Sequence, residues 1–246
     1  MNNVLSAINK RLSNAKTLIR YFPLVLKHGK GIRVTDMNDK EYIDCISAAG
    51  ALPFGHNHFV FKNAMQEFIN NDYPVQTMDI ATELQYHFHD RLFNFLPQEF
   101  SKNAKIQMCS PSGGDAIEAA IKLVKIATGR NTILSFCGGY HGQSYASSSI
   151  SGKLRGRNTY CGMTDVHFLP YPNTYRSPFQ IGRDNSEFVN SYINNILRSP
   201  QSGISKPAAI ILESVQGEGG VNPAPISWLK EIRKTTQELG IPLILD

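Results

Sequence analysis

The chain has 246 residues, 41% of them hydrophobic and 18% charged, with 25 basic against 20 acidic side chains and a net charge of +5. This composition excludes an intrinsically disordered chain and suits one large or two small globular domains with a sizeable core. Apart from the stretch 153–157 the basic residues are scattered, with no basic patch interleaved with aromatics, so nucleic-acid binding is not expected and anionic small molecules suit the mild basic excess.

Taken in chain order, residues 5–20 read as a helical arm with a solvated basic face, because Lys10, Arg11, Lys16 and Arg20 precede the first acidic residue, Asp36. Residues 31–36 and 41–45 read as a short hairpin turning at Asn38-Asp39. A Gly-rich loop, 49–56, follows, and helical periodicity returns over 59–70 and again over 81–95. From residue 105 onward strands and helices alternate, the signature of a parallel sheet covered on both faces. One unit has strands at 105–109 and 131–136 around a helix over 112–127, with Ala116, Ile117, Ala120, Ile121 and Val124 on one face and Thr128-Gly129 ending it. A second has a strand at 208–212, a long loop, a helix over 228–239 with Ser227 as N-cap and Gly240 as stop, and a strand reaching Asp246.

No run approaches the roughly 18 apolar residues of a membrane span, and the amino terminus lacks the apolar centre of a signal peptide. Cys45, Cys109, Cys137 and Cys161 lie far apart with no Cys-x-x-Cys pair. That argues against a zinc ribbon or disulfide framework and makes a cytoplasmic location the default expectation.

Four places carry candidate chemistry. Ser110-Pro111-Ser112-Gly113-Gly114-Asp115 opens a helix, where free backbone N–H groups and the helix dipole favour a phosphate. The same residues also read as a well-capped helix start, with Ser112 and Asp115 in a capping box. Cys137-Gly138-Gly139-Tyr140-His141-Gly142 follows a strand and presents an aromatic ring and an imidazole, which serve equally as packing residues or as a face for a planar ring. Glu213 through Gly220 follows another strand and carries Glu213 and Glu218, an acid–base pair or two carboxylates ordering the loop. Asp246 stands at the carboxyl end of an apolar strand, where open α/β sheets bind ligands. His56/His58 and His87/His89 have metal-like spacing but no completing Cys or carboxylate nearby, so no metal is expected. Anion cradle, aromatic face and carboxylates together are complementary to a phosphorylated aromatic heterocycle, and a carboxylate facing a pyridine nitrogen keeps it protonated.

In these motifs, taken in order from about residue 17, the chain resembles the class III pyridoxal-phosphate aminotransferases of fold type I. They are residues 36–44, Gly55-His56-Asn57-His58, Ser112-Gly113-Gly114-Asp115-Ala116, Tyr140-His141-Gly142, residues 213–220 and Leu243-Ile244-Leu245-Asp246. Within the family the likeness is greatest to the diaminobutyrate–2-oxoglutarate branch, through residues 48–52, 76–80, 169–172 and 215–225.

The resemblance implies an α/β fold type I large domain, a mostly parallel sheet with helices on both faces, over residues 56–246 and incomplete at its carboxyl end. Residues 1–55 would be an amino-terminal segment belonging to the small domain. The cofactor implied is pyridoxal 5'-phosphate, its phosphate held by Gly113 and Gly114, its ring stacked on Tyr140 beside His141, and its nitrogen paired with Asp246. Glu213 would lie beside substrate and cofactor as the catalytic carboxylate. The reaction implied moves the terminal amine of L-2,4-diaminobutyrate to 2-oxoglutarate, giving aspartate 4-semialdehyde and glutamate. Partners would be these small molecules and, in a full-length protein, a second copy, with no nucleic acid or membrane.

Two residues depart from the family pattern: Gly114 stands where many members have Thr, and Gln143 where some have an Arg that holds a substrate carboxylate. The Schiff-base lysine of the family lies beyond the aspartate, so the chain reads as an amino-terminal fragment without transaminase activity of its own. Alternative readings are another ω-amine aminotransferase, acting on ornithine, lysine or 4-aminobutyrate, or a short product that binds cofactor or a partner without catalysis.

Overall fold

In a computed structural model, residues 2–13, 22–76, 79–152, 162–173, 175, 179 and 185–246 are described, and the chain divides into two compact units, Met1–Ile106 and Gln107–Asp246. The basic stretch 153–157 and Cys161 lie outside the described residues.

The first unit holds α1 (Asn2–Arg11), an antiparallel sheet of β1 (Leu26–Lys30), β2 (Arg33–Asp36) and β3 (Glu41–Ile43) in that order, and the helices α2 (Phe59–Asn70), α3 (Glu83–Phe95) and α4 (Gln98–Ser101). Residues 14–20 of the expected arm lie outside the described residues. The hairpin forms where the sequence places it, with Arg33 opposite Ile43. Asp36 closes its turn by accepting the N–H groups of Asn38 (2.8 Å) and Lys40 (3.0 Å) and the Tyr42 hydroxyl (3.1 Å). Strand β1 was not legible in the sequence: Leu-Lys-His-Gly-Lys has no alternation, and it is recruited by pairing with β2.

The second unit follows with α5 (Gly113–Thr128), β4 (Ile133–Phe136), α6 (Tyr145–Ile150), β5 (Val166–Leu169), α7 (Ser186–Arg198), β6 (Ala209–Leu212), β7 (Val215–Gln216), β8 (Asn222–Pro223), α8 (Ile226–Glu238) and β9 (Leu243–Leu245). Strands β5-β4-β6-β9, in that order, form an all-parallel sheet. Side chains alternate across it. Leu134, Phe136, Ile210 and Leu212 pack on one face with Val189 and Ile193 of α7 and Trp228 and Ile232 of α8. Ile133, Ala209 and Ile211 pack on the other with Ile117, Ile121 and Val124 of α5 and Ala146 and Ile150 of α6. Two buried faces explain why these strands read as unbroken apolar runs. Each fully buried Ile, Leu or Val contributes about 1.5–3 kcal/mol, so the two layers set the stability of this unit.

Three local expectations are corrected. Residues 105–109 form no strand; a run that short needs a neighbour to satisfy its backbone, and none of the described strands pairs with it. Ser112 makes no side-chain cap; the Asp115 N–H donates to Ser112 O at 3.1 Å, and the Asp115 carboxylate accepts from the Ser110 hydroxyl. Helix α8 begins at Ile226 behind Pro225, so Ser227 lies inside it rather than at its N-cap.

Candidate active site

The order of the sheet creates the site. From β4 the chain crosses through α6 to β5 on one side, and from β6 it crosses through α8 to β9 on the other. The loops leaving the adjacent strands β4 and β6 therefore part in opposite directions and leave a crevice at their carboxyl ends, the usual ligand position in such sheets. Tyr140 and His141 sit on the first loop and Glu213 opens the second. The two loops are joined directly: the Tyr140 N–H donates to Glu213 Oε2 at 3.0 Å, while Gly217 N–H donates to Oε1 at 3.1 Å. Glu213 thus fixes the backbone that carries Tyr140.

Asp246 follows β9, and its N–H continues the ladder by donating to Leu212 O at 3.0 Å. Its Oδ2 lies 2.7 Å from His141 Nδ1. The imidazole is only 1% exposed and the carboxylate 32%, so the histidine supports from below a carboxylate that faces outward. His141 is held by its own N–H donating to Ser151 Oγ at 2.9 Å, and its Nε2 is buried without a hydrogen-bond partner among the described residues.

The start of α5 completes the group. Gly113 and Gly114 are its first residues, so their N–H groups have no carbonyl one turn back. Gly142 makes the approach possible: at φ +116 a Cβ there would lie 2.8 Å from Ser147 Oγ and 3.0 Å from Gly114 Cα. Glu118, one turn into α5, accepts from Ser144 Oγ (2.6 Å) and from the N–H groups of Ala146 (2.6 Å) and Ser147 (3.3 Å), tying α5 to the start of α6. Gly114, Tyr140, His141, Glu213 and Asp246 are thereby linked through near neighbours.

Sequence reasoning missed three supports of this group: Glu118, Gln216 and Tyr171. Gln216 is buried and donates to Cys137 O at 2.9 Å, clamping the two loops together. Tyr171 is buried, and burial followed by the Glu213 charge pushes its hydroxyl up to about 12. Tyr171 and Gln216 lie in two of the stretches that carry the family resemblance, 169–172 and 215–225, but nothing in the sequence gave them a role, and Glu118 was only a polar residue in an apolar context. Of the histidines with metal-like spacing, His56 Nε2 meets Asp44 Oδ2 at 2.7 Å, His58 Nδ1 accepts from Val60 N–H at 3.4 Å at the start of α2, and His87 lies 3.5 Å from Glu83. Among the described residues no three His, Cys, Asp or Glu side chains converge as a metal site would require. None of the described helices is long and apolar enough to cross a membrane.

A doubly covered parallel sheet with loops of this kind at its switch point is the architecture of the fold type I transferases. The sequence pattern described as Aminotransferase class-III matches residues 16–246, and the chain belongs to that family, whose cofactor is pyridoxal phosphate. A diaminobutyrate–2-oxoglutarate aminotransferase of Rhizobium meliloti (strain 1021) is 46% identical over 240 residues, covering 96% of this chain and 51% of the relative. One of Haemophilus influenzae (strain ATCC 51907 / DSM 11121 / KW20 / Rd) is 40% identical over 236 residues, covering 95% and 51%. An amine transaminase structure from an uncultivated Pseudomonas species, in its PLP-bound form, superposes with a TM-score of 0.76 at 26% identity over 96% of this chain and 54% of that one. The chain spans about half the length of the curated relatives it matches.

Proposed function

We propose that these residues form the cofactor-binding part of a cytoplasmic aminotransferase that moves the terminal amine of L-2,4-diaminobutyrate to 2-oxoglutarate, giving aspartate 4-semialdehyde and glutamate. The observation that carries the cofactor reading is the His141–Asp246 pair beside the open first turn of α5. The choice of amine rests on relatives of that name at 46% and 40% identity.

The residues present fit pyridoxal 5'-phosphate. A Cβ on Gly113 would meet nothing within 4 Å, so the first turn of α5 is open to an anion, and Gly113 and Gly114 offer it backbone N–H groups. When bound, the cofactor supplies an electron sink for a carbanion next to the transferred nitrogen. Asp246 would hold a proton at the pyridine nitrogen, and His141 Nδ1 keeps that carboxylate oriented. Tyr140 offers its ring as a face for the heterocycle, and Glu213 sets the height of that face through the Tyr140 N–H. Gln143 Nε2 donates to the Tyr140 hydroxyl at 3.3 Å, which orients the ring from its far end.

A homodimer belongs to the same reading. No residue of α2 is buried, and Phe59, Phe61, Met65 and Ile69 are all exposed, an apolar surface that favours a partner.

The test is a coupled assay of glutamate formation by the whole protein with 2-oxoglutarate and a panel of amines: L-2,4-diaminobutyrate, ornithine, lysine and 4-aminobutyrate. The highest kcat/KM is expected with diaminobutyrate; a preference for another amine overturns the substrate, and no turnover with any of them overturns the reaction.

A further inference from the structure

Tyr171 lies two residues past β5, only 5% exposed, with its ring edge-on to Phe136 (5.9 Å) and tilted steeply against Trp228 (5.4 Å). Its hydroxyl enters the base of the loop that carries Glu213. It lies 2.9 Å from Glu213 O, 3.3 Å from Ser214 O and 3.4 Å from Asn222 O. A phenol has one proton to give, and each of these three carbonyl oxygens is an acceptor, so the hydroxyl serves as a donor shared chiefly with Glu213. Burial, reinforced by the Glu213 carboxylate, keeps that proton on the oxygen up to about pH 12. Glu213 and Ser214 leave β6, whereas Asn222 opens β8, so a single hydroxyl ties both ends of the loop to the packed face of the sheet.

We propose that Tyr171 is a positioning residue for the Glu213 carboxylate: its hydroxyl anchors the Glu213 backbone so that the side chain spans the N–H groups of Tyr140 and Gly217. The proposal deepens the reading given above, in which Tyr140 and Glu213 face the cofactor. The geometry is specific. Moving the Glu213 carbonyl would shift a carboxylate whose two bonds, 3.0 Å and 3.1 Å, are both to backbone N–H groups of cofactor-side loops. Gln216 separately holds the same loop through Cys137 O, so losing the Tyr171 hydroxyl leaves a tethered loop with a misplaced carboxylate rather than an unfolded one.

The test is Tyr171→Phe in the 246-residue chain, which keeps the ring packing and removes only the hydroxyl. Amide hydrogen exchange is expected to rise about tenfold at Tyr140 and Gly217, a loss in keeping with a charge-assisted hydrogen bond, with little change in β4 and β6. No change at those two amides, or an equal rise across the sheet, overturns the proposal. The second readout is pyridoxamine 5'-phosphate binding, measured by fluorescence titration for wild type, Tyr171→Phe, Glu213→Gln and the double variant. Each single change is expected to weaken binding several-fold and the double variant to bind no worse than Glu213→Gln alone; additive losses overturn the proposal. If the wild-type chain binds no pyridoxamine phosphate, the titration is repeated with the whole protein, where no binding overturns the cofactor reading, and exchange at Tyr140 and Gly217 still decides the role of Tyr171.

Discussion

His141 and Asp246 meet across 105 residues of chain, Nδ1 to Oδ2 at 2.7 Å, with the imidazole buried and the carboxylate partly open. The pair turns a strand-end carboxylate into an oriented one. His141→Leu removes both ring nitrogens, including the Nδ1 that meets Asp246 Oδ2. Loss of a charge-assisted hydrogen bond at this depth costs about 1.5–3 kcal/mol, so pyridoxamine phosphate affinity is expected to fall roughly 10- to 100-fold in a fluorescence titration. Unchanged affinity would show that Asp246 needs no support.

Gly142 is where α5 and the Tyr140 loop come closest. Gly142→Ala places a methyl group 3.0 Å from Gly114 Cα in a backbone conformation that L-residues rarely adopt. The expected cost is about 1–3 kcal/mol in a urea titration, accompanied by weaker phosphate-ester binding because the first turn of α5 is pushed away. A stable variant with intact binding would contradict the close approach.

How much of this was legible beforehand follows from what is local. The apolar stripe of α5 and the unbroken runs of β4 and β6 are properties of short segments, and all three elements formed where the sequence pattern placed them. Loops following strands were likewise legible as loops, so Tyr140, Glu213 and Asp246 were assigned to one sheet edge correctly. Their contacts were not. Which carboxylate meets His141 depends on strand order, and no spacing in the chain distinguishes Asp246 from Glu213 or Glu218. Glu118 and Tyr171 were invisible for the same reason: each acts on residues 26 or more positions away. The strand expected at 105–109 failed in the reverse sense, since a local pattern cannot supply the neighbour that a ladder needs.

The first unit carries two carboxylates that make it sensitive to acid. The hydrogen bond from His56, joined by the N–H groups of Ser47 and Ile46, holds Asp44 below its ordinary 3.8. For Asp36, burial acts upward but is outweighed by the N–H groups of Lys40 and Asn38, the Tyr42 hydroxyl and the Lys40 charge, and the net direction is also down. A depressed carboxylate contributes stability above its unfolded pKa and loses it as pH falls through the folded value. Stability of this unit is therefore expected to be level above about pH 5 and to fall from about pH 4 downward. Urea midpoints followed by exchange at β2 and β3 amides over that range will show it, and Asp44→Asn should flatten the slope. A slope unaltered by that substitution would remove Asp44 from the account.

Trp228 is the single tryptophan of the chain, fully buried between Phe136 and Tyr171 with ring centroids 5.4 Å from each. Its fluorescence consequently reports on the second unit alone. Trp228→Phe leaves a partly filled site, whereas Trp228→Ala removes the contact between α8 and the face of the sheet carrying Leu134, Ile210 and Leu212. The alanine variant is expected to lose about 3–5 kcal/mol in a denaturant titration followed by circular dichroism, with the phenylalanine variant losing less. Because Tyr171 leans on the same indole, both variants are also expected to speed exchange at Tyr140 and Gly217, and Trp228→Ala the more. Core loss without any change at those two amides would mean that the packed face and the Glu213 loop move independently.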